Sequence, residues 1–415
     1  MNNFEKKQLK NGINVILKKE KNTPRTSFNF FVGANNELSK MAGLPSIAFR
    51  LLMQGTKTKT QEEIAQYIDF NGIEFNIEAK NDYARMAFYS LNEDFIETIY
   101  FISDLIKNST FDEVEKECFK MKGEITADLD NPRVQTVDNL AKNVFKNHPY
   151  GNSYTVILNN LDNISKEDVK TFYNSILTPQ DITLTIVGDF DESALMEALE
   201  KAFGDIVAQD SHLVDFELQA LDKKEIVTIS KDDAAQAQVM QGWLTESMSS
   251  EDYPALTVLN TILGAGGLSS RLFLELREKQ GLAYVVRSGF DAMKMGGLFS
   301  VYIATEPKNI QVCLDGFEKE LEKLKNIEVS EEELSDAKNN LVGKRQFFHE
   351  TNSQKAYYLG YFECLGLGAS FDKEINEKIL AVTSQDIKRV ANKYFVDKSV
   401  VSLLAPEKYL AEFKA

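Results

Sequence analysis

Thr383-Ser-Gln-Asp-Ile-Lys388 repeats the pattern of Ser165-Lys-Glu-Asp-Val-Lys170 at an offset of 218 residues. Each segment begins with a hydroxyl residue and carries an aspartate three positions later, which is typical of a capping box at the start of a helix. An apolar, strand-like stretch follows each predicted helix, at 182–187 and at 400–404. Because both segments take the same position within their half of the chain, we interpret the chain as an internal duplication.

The order of predicted elements supports two similar halves. In each half, alternating strand-like stretches and amphipathic helices indicate helices packed on a mostly antiparallel sheet. A chain of 415 residues also exceeds the size of one ordinary core. We therefore predict an α+β protein of two homologous domains, at 1–206 and 225–415, joined by a polar linker at 207–224.

Charge and composition argue against several classes of function. Asp and Glu total 63 against 47 Lys and Arg, and the net charge of −16 opposes binding to nucleic acid or to anionic lipid. The sequence has no run of about 18 apolar residues, so we expect no membrane partner and a cytoplasmic protein. A periplasmic or exported protein whose signal had been removed would look the same. The three cysteines are widely separated and predict reduced thiols.

The stretch Gly43-Leu-Pro-Ser-Ile-Ala-Phe-Arg-Leu-Leu-Met-Gln-Gly-Thr56 predicts a buried helix, because it is apolar on almost every side. Arg50 is the exception. A guanidinium among apolar neighbours needs a carboxylate partner, since an unpaired buried charge is costly. Glu117 and Glu124 are candidates, because residues seven apart lie on the same side of a helix. The alternative is that both glutamates lie on a solvated face, as helix glutamates usually do.

Histidine is scarce in this sequence. No two of the three histidines are three or four residues apart, so no helix presents two imidazoles on one face. We interpret His148, His212 and His349 as surface or hydrogen-bonded histidines, and we expect no metal site in this chain. No combination of serine, cysteine and histidine in motif context supports nucleophilic catalysis.

The longest motif is Gly267-Leu-Ser-Ser-Arg-Leu-Phe-Leu-Glu-Leu-Arg-Glu-Lys-Gln-Gly-Leu-Ala-Tyr284. The glycines around its start lack the spacing and the Lys-Ser/Thr ending of phosphate-binding loops. We interpret them as a turn that begins a helix. That helix should end near Gly281, and a strand should follow.

These motifs together resemble the inverted-zincin peptidases, the pitrilysin-like family that includes mitochondrial processing peptidase and insulin-degrading enzyme. The resemblance rests on Gly43-Leu-x10-Gly55-Thr56, Glu117-x6-Glu124, His148-Pro-Tyr-Gly151 and the motif at 267–284. It spans essentially the whole chain. It implies the short-subunit branch of the family, in which chains of two homologous domains pair around a chamber.

The resemblance also implies which positions correspond to the zinc site of the family. In the family, H-x-x-E-H supplies two histidine ligands and the glutamate that activates water. Ser46, Phe49 and Arg50 occupy those three positions here. Glu124 matches the third zinc ligand, and Glu117 matches its supporting glutamate. We predict that this chain binds no zinc and that Arg50 pairs with Glu124, with Glu117 as a second partner, in place of the metal.

Arg277 and Tyr284 match a functional pair of the family's C-terminal domain. By resemblance, the arginine contacts the substrate backbone and the tyrosine donates to the oxyanion near the zinc. In the paired architecture each C-terminal domain faces the N-terminal domain of the partner, so this pair would serve a zinc site on the partner. The alternative is a helix-end arginine in a salt bridge and a tyrosine packed in the core.

The sequence therefore predicts a non-catalytic subunit of a heterodimeric zinc endopeptidase, inactive alone. Its partner would be a homologous chain that contains H-x-x-E-H and holds the zinc. The substrates would be peptides, held by addition to the edge of a sheet. The alternative is a catalytically inactive homodimer of the same fold that binds peptides or acts as a scaffold.

Overall fold

The computed structural model describes residues 3–33, 41–207 and 216–413. Residues 208–215 of the predicted linker, which include His212, lie outside these residues. The described residues form two compact units. The first unit lies within Met1–Glu124, Thr155–Asp215 and Gln346–Glu374, and the second lies within Ile125–Tyr154, Phe216–Arg345 and Ile375–Ala415.

Strands and helices follow one another in a similar order in the two halves of the chain. The strands are β1 (Glu5–Gln8), β2 (Asn14–Lys19), β3 (Arg25–Val32), β4 (Glu74–Ala79), β5 (Ala84–Leu91), β6 (Ile182–Gly188), β7 (Glu225–Ser230), β8 (Ala237–Thr245), β9 (Ala283–Ala292), β10 (Gly297–Thr305) and β11 (Val400–Ala405). The helices are α1 (Leu44–Leu51), α2 (Gln61–Phe70), α3 (Phe95–Asn108), α4 (Val114–Leu129), α5 (Pro132–Val144), α6 (Tyr154–Leu161), α7 (Lys166–Ile176), α8 (Glu192–Phe203), α9 (Tyr253–Asn260), α10 (Ile310–Asn326), α11 (Glu331–Gln346), α12 (Asn352–Cys364), α13 (Phe371–Ala381) and α14 (Ser384–Tyr394). Two π-helical stretches, Thr261–Ala265 and Phe273–Glu278, precede β9.

The repeated segments begin α7 and α14. The Ser165 hydroxyl accepts a hydrogen bond from the amide of Asp168, whose carboxylate accepts one from the amide of Ser165. Thr383 and Asp386 make the same two bonds at the start of α14. Strands β6 and β11 follow the two helices. The structure therefore confirms the α+β class and the duplication.

In the first unit, the described residues form a six-stranded sheet in the order β1-β2-β6-β3-β5-β4. Within this sheet β2 and β6 are parallel, and the other neighbours are antiparallel. Phe28 and Phe30 of β3 contact Phe203 of α8 on one face. Phe31 points to the opposite face and contacts Tyr357 of α12. Helix α12, from the C-terminal half of the chain, therefore packs on the sheet of the N-terminal half.

The second unit contains, within the same described ranges, a five-stranded sheet in the order β7-β11-β8-β10-β9. Its β7 and β11 are parallel, and its other neighbours are antiparallel. Trp243 and Phe299 contact Phe395, just after α14, on one face. On the other face, α5 lies so close to β8 that a Cβ at Gly242 would stand 3.0 Å from Leu140. Each half of the chain therefore contributes one helix to the sheet of the other half.

The predicted domain boundaries follow chain order and assign α5 to 1–206 and α12 to 225–415. The compact units place α5 in the second unit and α12 in the first. The division into 1–206, 207–224 and 225–415 stays a prediction about how the duplicated sequence divides.

Candidate functional site

Helix α1 positions the side chains at 46, 49 and 50. It begins after Gly43, whose φ of 94° favours glycine, and Pro45 lies in its first turn. Its apolar residues are buried, and the ring of Phe49 meets that of Tyr173 on α7 edge-on at 5.8 Å. Phe49 is therefore a core residue that holds α1 against α7.

Arg50 forms a bidentate ion pair with Glu124 of α4. Its Nη1 donates to Oε1 at 3.0 Å and its Nη2 donates to Oε2 at 2.6 Å. The predicted pairing of these two residues is therefore present. The exposed fraction is 35% for the Arg50 side chain and 54% for that of Glu124, so the expectation of a buried guanidinium is wrong. Arg50 lies in the last turn of α1, from which its long stem carries the charge to the surface.

The ion pair favours the charged form of both groups. Hydrogen bonds from Arg50 hold the pKa of Glu124 below its usual value. The hydrogen bond to Glu124 raises the pKa of Arg50, and the negative charges of Glu124 and Glu117 add to that rise. The Glu124 carboxylate is thus ionised and neutralised by a permanent cation.

Glu117 lies seven residues, or about two helical turns, before Glu124. It is 4% exposed, so it does not lie on a solvated face. Its carboxylate accepts a hydrogen bond from Nζ of Lys120 at 2.5 Å. Within the described ranges no hydrogen bond joins Arg50 to Glu117, and the two interact through charge alone. The predicted second partner of Arg50 is therefore a neighbouring charge and not a direct contact.

These residues do not fit a zinc ion. Protein zinc sites use thiolate, imidazole and carboxylate ligands. Phe49 has no ligand atom, Arg50 brings a positive charge, and both oxygens of Glu124 are bonded to that charge. In the part of the chain that the structure describes, no group of three or more His, Cys, Asp and Glu side chains could hold a metal ion.

The two described histidines are each engaged by neighbouring protein groups. His148 is buried, its Nδ1 accepts a hydrogen bond from the amide of Tyr150 at 3.1 Å, and burial lowers the pKa of its imidazole. Nε2 of His349 lies 2.8 Å from Oδ2 of Asp372. His212 lies outside the described residues.

The second unit brings Arg277 and Tyr284 together. Arg277 lies in the π-helical stretch Phe273–Glu278, and Tyr284 lies on β9, an edge strand of the sheet. Nη1 of Arg277 donates to the backbone oxygen of Tyr284 at 2.7 Å, and the guanidinium carbon is 4.8 Å from the centroid of the Tyr284 ring. Tyr284 is 77% exposed, so it is not packed in the core.

Two residues that take part in these arrangements, Phe273 and Lys120, were not among the predicted site residues. Phe273 lies one turn before Arg277, and its ring centroid is also 4.8 Å from the guanidinium carbon. Lys120 lies one turn after Glu117 and neutralises it. The spacings of four and three residues are the signals that identify both neighbours, because such pairs meet on a helix surface.

No helix among the residues that the structure covers is both long and apolar enough to cross a membrane. This finding concerns the helices alone.

Comparison with known protein families gives the same family for both halves of the chain. Residues 14–156 match the family described as Insulinase (Peptidase family M16), and residues 163–341 match the Peptidase M16 inactive domain. The two matches together span most of the sequence.

Individual proteins are similar over nearly the whole chain. The uncharacterized zinc protease YmxG of Bacillus subtilis is 26% identical over 404 residues, which cover 95% of this chain and 97% of that protein. The solved structure of a peptidase M16 inactive domain from Pseudomonas fluorescens has a TM-score of 0.88 at 24% identity and covers 97% of this chain and 98% of its own. A protease from Helicobacter pylori has a TM-score of 0.88 at 21% identity, with 98% and 100% covered. The structural likeness shows a shared fold.

Proposed function

We propose that this chain, which belongs to peptidase family M16, is a non-catalytic subunit of a zinc endopeptidase. The observation that carries the proposal is the bidentate pair of Arg50 and Glu124 at the positions that match a zinc site. The ion pair supports the proposal that this chain has the fold of a peptidase but does not bind zinc.

A chain with this ion pair has no means of activating water with a metal. A zinc ion would have to displace the Arg50 guanidinium from both oxygens of Glu124. Glu124 would then be one ligand where tight sites need three or four. The guanidinium supplies the positive charge that the carboxylate requires, so α1 and α4 remain joined without a metal.

Arg277 and Tyr284 would act on a zinc site that belongs to the partner. One nitrogen of Arg277 is committed to the Tyr284 carbonyl, and the guanidinium retains further N–H donors for a carbonyl or carboxylate of a peptide. The exposed phenol of Tyr284 is suited to donate to an oxyanion that develops during hydrolysis. The partner's zinc would supply the activated water and polarise the scissile carbonyl.

The partner would be a homologous chain with H-x-x-E-H, and the substrates would be extended peptides. Among the described residues, β4 and β9 each have a neighbouring strand on one side alone. An edge strand of this kind can add a peptide strand through its outward N–H and C=O groups. The location of β9 beside Arg277 supports binding of a peptide at that edge.

The test needs the zinc-bearing chain from the same genome, recognised by H-x-x-E-H and by the lack of its own arginine and tyrosine pair. Each purified chain alone should leave a quenched fluorescent peptide intact, and the mixture should cleave it. In the mixture, Tyr284→Phe should lower turnover about a hundredfold, which is the usual effect of removing one oxyanion donor. Arg277→Ala should lower it as well.

The matched control is Arg25→Ala, which removes a half-exposed arginine of β3 in the first unit, away from the proposed peptide-binding edge of β9. It should leave turnover unchanged, and metal analysis should find the same zinc content in all the complexes. Full activity of the Arg277→Ala and Tyr284→Phe complexes would refute the role of this pair. Binding of a labelled peptide by a homodimer of this chain, with no gain from any second chain, would instead support the inactive peptide-binding alternative.

A further inference from the structure

Strand β9 begins with an irregularity at Tyr284. The pairing with β10 shifts between Ala304 and Thr305, which leaves Tyr284 as an extra residue in a β-bulge. A regular strand would turn alternate residues to opposite faces, but Tyr284 and the following Val285 are both exposed. The backbone oxygen of the bulged residue accepts the hydrogen bond from Arg277.

Backbone bonds hold the turn between the π-helical stretch and this bulge. The amide of Gly281, with a φ of 63°, donates to the oxygen of Arg277 at 3.0 Å. The amide of Leu282 donates to the oxygen of Leu276 at 3.0 Å, and the hydroxyl of Thr305 donates to the oxygen of Leu282 at 2.7 Å. The backbone therefore brings the Arg277 side chain to the bulge at a defined spacing.

Two aromatic rings then contact the Arg277 guanidinium. Its carbon lies 4.8 Å from the ring centroids of both Phe273 and Tyr284, which is within the range of cation–π attraction. The hydrogen bond to the Tyr284 oxygen fixes one nitrogen. These three contacts restrain a side chain that otherwise has many rotamers.

We propose that Phe273 is a positioning residue for Arg277. Phe273, Arg277 and Tyr284 form an aromatic clamp in which the guanidinium is oriented before a peptide arrives, with its remaining N–H groups available for a carbonyl or carboxylate. A guanidinium that is already ordered loses less conformational freedom when it binds a peptide. The clamp therefore strengthens the bond between Arg277 and the peptide, although Phe273 itself does not contact the peptide. The inference rests on the proposed function of Arg277 and adds the residue that holds it.

The orientation can be measured on this chain alone. With arginine labelled by ¹³C and ¹⁵N, the NMR signal that disappears in Arg277→Lys belongs to Arg277, and its Nε–H proton should be shifted by the currents of nearby rings. Phe273→Leu should lower the ¹⁵N order parameter of that Nε–H group towards the value of a mobile arginine, and Phe273→Tyr should restore it. Leu274→Ala, which changes the exposed neighbour, is the control and should leave the order parameter unchanged. An unchanged order parameter of the Arg277 Nε–H group in Phe273→Leu overturns the inference.

Activity of the assembled complex with a short peptide separates this inference from the proposed function. Loss of one ring contact in Phe273→Leu should raise KM about threefold with kcat retained, and Phe273→Tyr should return it. If Arg277→Ala lowers turnover while Phe273→Leu leaves KM unchanged, the positioning role is overturned. If Arg277→Ala leaves turnover unchanged, the proposed function fails, and the order parameter alone decides whether Phe273 restrains the guanidinium.

Discussion

The ion pair of Arg50 and Glu124 should make a measurable contribution to the stability of the first unit. We consider Arg50→Met and Glu124→Gln, singly and together. Methionine keeps an unbranched apolar stem, and glutamine keeps the shape of the glutamate without its charge. A double-mutant cycle of the four proteins isolates the coupling energy between the two side chains.

The geometry sets the expected magnitude of this coupling. Exposed ion pairs contribute about 0.2–1 kcal/mol, and breaking a fully buried pair costs about 3–5 kcal/mol. This pair has two aligned hydrogen bonds, but 35% and 54% of its side chains are exposed to solvent screening. We therefore expect a coupling of about 1 kcal/mol. The control pair Arg25 and Glu74 has one hydrogen bond and exposures of 40% and 71%, for which we expect about 0.3 kcal/mol.

Urea denaturation at pH 7 gives the free energy of unfolding of each of the four proteins. Because a chain of two units need not unfold in one step, hydrogen exchange in α1 and α4 identifies the transition in which these two helices unfold. The pKa of Glu124 is lowered in the folded state. The stabilisation by the charged pair is therefore present above the unfolded carboxyl pKa and is lost as pH falls through the folded one. A coupling no larger than that of the control pair, or one that persists in acid, would refute the reasoning.

Three further predictions concern other parts of the two units. Burial opposes ionisation of Asp252, but hydrogen bonds from three residues of α14 lower its pKa to about 2. Asp252→Asn should therefore lower the free energy of unfolding by about 2 kcal/mol at pH 7 and by progressively less below pH 4. Tryptophan fluorescence in urea measures this, and an equal loss of stability at pH 7 and below pH 4 would contradict it. Gly360→Ala would place a Cβ 2.3 Å from the Phe31 ring and should cost about 1–3 kcal/mol, whereas the control Gly343→Ala, with no atom within 4 Å, should not destabilise in thermal denaturation. A thiol reagent at pH 8 should modify Cys364 first, because the other two cysteines are buried and burial raises the pKa of each thiol to about 11; labelling of all three at one rate would contradict this.

The features that local chemistry determines were predictable from the sequence. Each capping box, at Ser165 and at Thr383, is a pattern of four consecutive residues that specifies the start of a helix. The duplication could therefore be predicted without knowledge of long-range contacts. The apolar neighbours of Arg50 predicted that it needs a carboxylate partner, and the match of Glu124 to the third zinc ligand of the family identified that partner.

Features that depend on distant parts of the chain were not predictable in this way. The periodicity of α5 and α12 shows that each has an apolar face, but it does not say which sheet that face covers. The bulge at Tyr284 depends on the register between β9 and β10, which no residue type encodes by itself. The exposure of Arg50 depends on its place in the last turn of α1, where the end of the helix was uncertain by a residue or two.

The position of α12 has a consequence for synthesis of the protein on the ribosome. The last strand of the first sheet ends at Gly188, but the helix that covers one of its faces ends at Cys364. At about 5–20 residues per second, roughly 10–35 seconds of translation separate the two points. During that interval the face that carries Phe31 lacks its covering helix, so the nascent N-terminal half keeps this apolar surface exposed until α12 has been made.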